Sequence, residues 1–207
     1  MRPGAVALIV FLAGETSAFA SQNPDQPTTR QYIKRSLSPL AVVRAGVGAA
    51  VTQATDTPHE WGQGAAGFGK RLGSAFAKHL VKKAIQLPVA RLLHEEIGYR
   101  RSDQQGFRPR LQHALLATVI TYKTTNGKKT IAVDEIAGAF GSGLISRLWQ
   151  PASVRALSYG FLSGGITLGV DAGTNVLREF WPEIRHPHGH HQQGYLPEPS
   201  VQPSPKP

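Results

Sequence analysis

Small residues recur at every fourth position in three separate segments: Gly165, Gly169 and Gly173, with Gly160 and Gly164 just ahead; Ala65, Gly69, Gly73 and Ala77; and Gly138, Ser142 and Ser146. Residues four apart share one face of a helix, so each ladder offers a smooth groove that a second backbone can approach closely. Glycine inside a helix costs about 1 kcal/mol relative to alanine, so several of them require a compensating gain in packing. The pattern predicts a mostly all-α, compact helical bundle with Gly69, Gly73, Gly138, Ser142, Gly165, Gly169 and Gly173 at tight helix contacts. The Gly165–Gly169–Gly173 face is expected to be buried against 138–149 or 62–87, each of which carries its own small face.

The chain divides by composition. Residues 1–20 read as a signal peptide: Arg2 opens it, 5–13 are apolar, and Ala18-Phe19-Ala20 supplies a small-residue cleavage site. The apolar run is shorter than the roughly 20 residues a membrane span needs. Residues 21–37 read as a flexible N-terminal segment, 38–184 as a single helical domain, and 185–207, rich in Pro, His, Gln and Ser, as a disordered tail. There is no cysteine, so stability must come from the core.

Within the domain, Ser38-Pro39 opens a helix expected over 38–53. The longest candidate, 62–87, puts Phe68, Leu72, Phe76 and Leu80 on an apolar arc and Lys70, Ser74, Lys78 and Lys82 on an opposing basic one. Pro88 is expected to kink or end it, with a short helix over 89–97 to follow. A helix is expected over 111–122. The turn residues Asn126-Gly127, flanked by β-branched residues, allow a short β-hairpin or a plain loop. Asp134 stands where an N-cap belongs, before a helix to Trp149, and the final helix runs from Pro151 toward Phe180, where Pro182 stops it. The charge-free stretch 156–170 is too short for a span, and the mean hydropathy of −0.21 argues against an integral protein.

The net charge of +10 is unevenly placed. Residues 27–91 hold ten basic residues against Asp56 and Glu60. Such a front half favours anionic partners, namely envelope components or a membrane surface, with Lys70, Arg71, Lys78, Lys82 and Lys83 as the binding face; nucleic acid is not the expected partner. A solvated face that keeps the chain soluble explains the same excess.

Three sets of residues bear on chemistry. Asp171, Asn175 and Glu179 share a helical face and either line a cleft, with Asp171 as a partly buried acid, or form interhelical bonds to residues such as Arg147 or Arg155. His94, Glu95 and Tyr99 combine an imidazole, a carboxylate and a phenol that could extend that cleft, but lack the His-Glu-x-x-His spacing of a zinc site. His186, His188, His190 and His191 form a tract able to hold metal ions, more readily as adventitious ligands than as a physiological site. No nucleophile elbow, P-loop or dinucleotide fingerprint is present, so no catalytic residue and no cofactor is assigned.

The phrases Gly64-Ala65-Ala66-Gly67-Phe68-Gly69-Lys70-Arg71, Gly138-Ala139-Phe140-Gly141-Ser142-Gly143-Leu144-Ile145-Ser146 and Glu179-Phe180-Trp181-Pro182-Glu183-Ile184 resemble a set of small exported bacterial proteins of unknown function. That resemblance implies export and a helical fold and transfers no functional residues. The chain is therefore expected to be an exported, noncatalytic envelope protein, periplasmic or extracellular, acting peripherally at anionic surfaces. The alternatives are a small-ligand protein or enzyme built around Asp171, and metal binding by the histidine tract.

Overall fold

The computed structural model describes residues 27–185. The expected signal peptide and the tail histidines His186, His188, His190 and His191 lie outside the described residues. Six helices carry the described chain: α1 (Thr29–Ser36), α2 (Pro39–Ala54), α3 (Gly64–Leu92), α4 (Phe107–Leu116), α5 (Val133–Ile145) and α6 (Leu157–Arg185). Between α4 and α5, β1 (Ile120–Tyr122) pairs antiparallel with β2 (Lys129–Ile131), with Ile120 opposite Ile131. The bundle is mostly helical, with this one short hairpin at Asn126-Gly127.

Local chemistry explains most of the boundaries, including those that differ from expectation. The segment expected to be flexible contains α1, because Thr28 and Gln31 form a reciprocal capping box and Tyr32 is buried. Ser38 precedes α2 with Pro39 in its first turn. Pro88 neither ends α3 nor starts a second helix; it lies inside α3, and Pro182 lies inside α6. Pro88 and Ala84, whose carbonyl loses its donor, are both exposed, so solvent can satisfy the freed group. Asp134 is not the cap of α5 but sits in its first turn, and its backbone N–H donates to Glu95 Oε2 at 3.0 Å. The helix expected over 111–122 stops at Leu116, and its last residues turn into β1.

α3 packs against α2 on one side and α5 on the other, α5 packs against α6, and α4 covers α6. Here the small-residue ladders divide. A Cβ on Gly138 would lie 2.5 Å from Gln86 Cγ, so that position and the fully buried Ser142 do lie in a helix contact. A Cβ on Gly143 would lie 2.4 Å from the Gly160 carbonyl oxygen, and one on Gly164 would lie 2.9 Å from Phe140 Cα. The tight α5–α6 crossing is therefore made by Gly143, Gly160 and Gly164. Gly165, Gly169 and Gly173 are exposed, with nothing within 4 Å of an added Cβ, and Gly69 and Gly73 are equally open. The expectation fails for these five because a ladder marks a smooth face without fixing its direction. In α6 the inward direction belongs to Gly160, Gly164 and the polar stripe on the same side.

The interior that results is polar. Among the described residues, seven of the nine buried apolar ones are alanine, with Tyr32 and Leu87 the exceptions, while the buried polar set includes Arg71, Lys82, Gln86, Glu95, Asp134, Asn175 and Glu179. Large apolar side chains point outward instead. On α2, Ala41, Ala45 and Ala49 face α3 while Val43, Val47 and Val51 are exposed. On α6, Leu162, Ile166, Val170 and Leu177 are exposed along the same face as the open glycines.

Candidate functional site

Two polar stripes meet at the centre of the bundle. α3 contributes Lys78, Lys82 and Gln86, and α6 contributes Asp171, Asn175 and Glu179, each set at intervals of four. Lys82 is buried and bonds Asp171, and its Nζ lies 3.0 Å from Glu135 Oε2 of α5. Burial works against the Lys82 ammonium, but the two carboxylates outweigh it and hold its pKa above the ordinary value. Asp171 is raised, chiefly by burial, with Lys82 opposing. Its partner is thus Lys82, not Arg147 or Arg155.

Beside this ion triad, α1, α2, α3, α6 and the chain before α5 line a cavity of about 480 Å³, reached by Glu135 and Asp171 but not by Lys82. Asp171, Asn175 and Tyr99 line it, as do Arg44, His79, Lys83, Gln86 and Arg178. Asn175 donates from Nδ2 to Thr118 Oγ1 at 3.3 Å. Lys83 donates to Gln86 Oε1 at 2.7 Å and stands over the Tyr32 ring. His79 is pushed down to about 4, first by burial and then by the Lys83 charge, so it is neutral at physiological pH. Asp134 is pushed up to about 8 by burial and by neighbouring Glu135, so it retains its proton at neutral pH.

The other expected members of the cleft serve different ends. Glu95 is buried and caps α5 through the Asp134 N–H. His94 is exposed, with a positive φ of 54°, and lies outside the cavity lining; its carbonyl accepts from Thr124 N at 2.8 Å. Glu179 lies one turn below the cavity, fully buried. Its carboxylate accepts from Tyr99 Oη (2.7 Å), Arg110 Nε (2.8 Å) and Ser102 N (3.1 Å), which binds the loop after α3 to the last helix. Of the stripe, only Asp171 and Asn175 face the cavity.

The expected basic binding face is largely internal. Lys70 alone of the five is exposed. Arg71, 2 % exposed, donates to the carbonyls of Thr57, Pro58 and Gly62 and to the side chains of Gln53 and Asp56, clamping the α2–α3 connection. Lys78 donates to Ser163 Oγ at 2.9 Å, Lys82 holds the triad, and Lys83 faces the cavity. A carboxylate-bearing helix was available to turn these cations inward, and the helical wheel of α3 alone does not contain that information.

Sequence reasoning missed Gln86, Arg44, Arg178 and Asp134. The signal available was the match between stripes of equal spacing and opposite charge on two helices, 78–82–86 and 171–175–179. Among the described residues no group of three or more His, Asp or Glu side chains is placed to hold a metal ion. Comparison with protein-family models, curated proteins and solved structures yields no match, so the reading of the site rests on its own residues.

Proposed function

We propose that this is an exported envelope protein that lays apolar helix faces, rimmed by basic residues, on an anionic lipid surface. The observation that carries the reading is the reversal of the usual distribution: charged and amide side chains fill the interior while valine, leucine and isoleucine cover α2 and α6 outside. Apolar faces of this extent mark an interaction surface. Lipid is favoured by the cations beside them, because Arg30, Lys34 and Arg35 on α1 and Arg44 on α2 are exposed next to Ile33, Leu37, Leu40 and Val43. Each such cation near an anionic surface contributes about 1 kcal/mol. No helix among the described residues is long and apolar enough to cross a membrane, and the proposal is one of faces resting on the lipid interface.

Co-sedimentation of the full chain with vesicles tests this. Binding is expected to anionic vesicles, weakening with salt, and to fall at least about tenfold in a Val43→Asp, Val47→Asp variant, because a charge on the exposed apolar face opposes its entry into the lipid interface. Absence of binding to anionic vesicles at low salt would remove the proposal.

A further inference from the structure

The central cavity carries cations on its lining that no carboxylate among the described residues pairs. Gln86 is 2 % exposed and lines it; its Oε1 accepts from Lys83 and Tyr32, and its side chain also bonds the Glu135 carboxylate. The two donors on Oε1 fix the amide orientation and leave its N–H₂ end to Glu135. Lys83, Arg44 and Arg178 also line the space, and none lies within 4.0 Å of a carboxylate among the described residues. Arg178 is lowered by partial burial and then by the like charge of Arg44, against the opposing pull of Glu135 and Asp171. Those two carboxylates are themselves held by Lys82.

We propose that the cavity is an oxyanion site that takes a phosphate group, on a lipid headgroup or on a small soluble molecule, between Arg44 and Arg178 at the mouth and Lys83 inside. Guanidinium forks match tetrahedral oxyanions in pairs of N–H bonds. The volume of about 480 Å³ suits a small organic molecule and exceeds what a bare phosphate fills. Arg44 and Arg178 are exposed as well as cavity-lining, which places the opening between α2 and α6, the two helices with outward apolar faces. A headgroup could thus enter while its chains stay on those faces. The lipid source rests on the membrane reading above; the site itself does not.

Calorimetric titration of the full chain with inorganic phosphate is expected to show one saturable site, weakened at least tenfold by Arg178→Gln or Lys83→Gln and unaffected by Lys70→Gln. Arg178 is exposed, so that variant is expected to fold. Vesicles containing phosphatidic acid in phosphatidylcholine identify the source. Displacement of the protein by inorganic phosphate supports a headgroup in the cavity, and saturable phosphate binding without displacement supports a soluble phosphate ester. Absence of saturable phosphate binding, or equal weakening by Lys70→Gln and Arg178→Gln, overturns the site. The membrane reading fails separately, when the Val43→Asp, Val47→Asp variant sediments with vesicles as the parent does while phosphate binding is intact.

Discussion

Tyr99 donates its hydroxyl to Glu179 Oε2 across 2.7 Å, joining the loop after α3 to a carboxylate that is fully buried in α6. Burial acts to raise the pKa of Glu179, and the bonds from Arg110, Tyr99 and Ser102 outweigh it, leaving the net shift downward. The stability these bonds supply is therefore present above the ordinary carboxylate range and is lost as pH falls through the depressed folded value. Arg110→Ala leaves the buried charge without its cation and is expected to cost about 3–5 kcal/mol. Tyr99→Phe removes one charge-assisted bond and is expected to cost about 1.5–3 kcal/mol. Urea denaturation at neutral pH measures both. An Arg110→Ala protein as stable as the parent would show that the Glu179 cluster is not a structural tie.

Arg71 joins five acceptors in the α2–α3 connection, and Gly67 makes room for it: a Cβ there would lie 2.9 Å from Arg71 Nη1 and 2.1 Å from the Gly62 oxygen. Arg71→Lys keeps the charge but loses the planar fork, so it is expected to behave much like Arg71→Ala, with a loss of about 3 kcal/mol. Limited proteolysis offers a local readout, with faster cleavage expected within 55–62 in both variants. Full protection in Arg71→Lys would mean that charge alone holds the connection.

The helical class and the hairpin were legible because they depend on local signals: Ser38-Pro39, Asn126-Gly127 and apolar periodicity. The candidate site was legible in part, since the 171–175–179 stripe is read from spacing alone. Its partner was hidden. Lys78, Lys82 and Gln86 look like a solvated arc on one wheel, and only the approach of α5 and α6 turns them into the interior. The same limit applies to Gly165, Gly169 and Gly173, whose spacing matches that of buried glycines but whose face points away from the bundle.

That difference between glycines is measurable by melting. Gly164→Ala places a methyl 2.9 Å from Phe140 Cα, a backbone atom that cannot rotate away, and overpacking of this kind is expected to cost about 1–3 kcal/mol. Gly169→Ala meets nothing within 4 Å and gains helix propensity, so stabilisation of up to about 1 kcal/mol is expected. Destabilisation by Gly169→Ala as large as that by Gly164→Ala would indicate that the outer face of α6 is covered in solution.

Asp134 and His79 give the protein opposing pH dependences. Asp134 is pushed up to about 8 by burial and by Glu135, against an ordinary aspartate value of 3.8. Between those values the unfolded chain releases this proton and the folded chain keeps it, so Asp134 makes folding less favourable as pH rises from about 4 to about 8. His79 is pushed down to about 4 by burial and the Lys83 charge, against an ordinary 6.5. It remains neutral in the fold while the unfolded chain takes up a proton, so its contribution falls as pH drops from about 6.5 to about 4. Asp134→Asn removes the first slope and leaves the second. The variant is expected to exceed the parent in stability by a few kcal/mol at about pH 8, with the gap closing toward about pH 4. Urea melts across that range measure the gap, and the His79 ring resonances, expected not to titrate above about pH 5, report the second group independently. A gap that does not change with pH would show that Asp134 ionises normally within the fold.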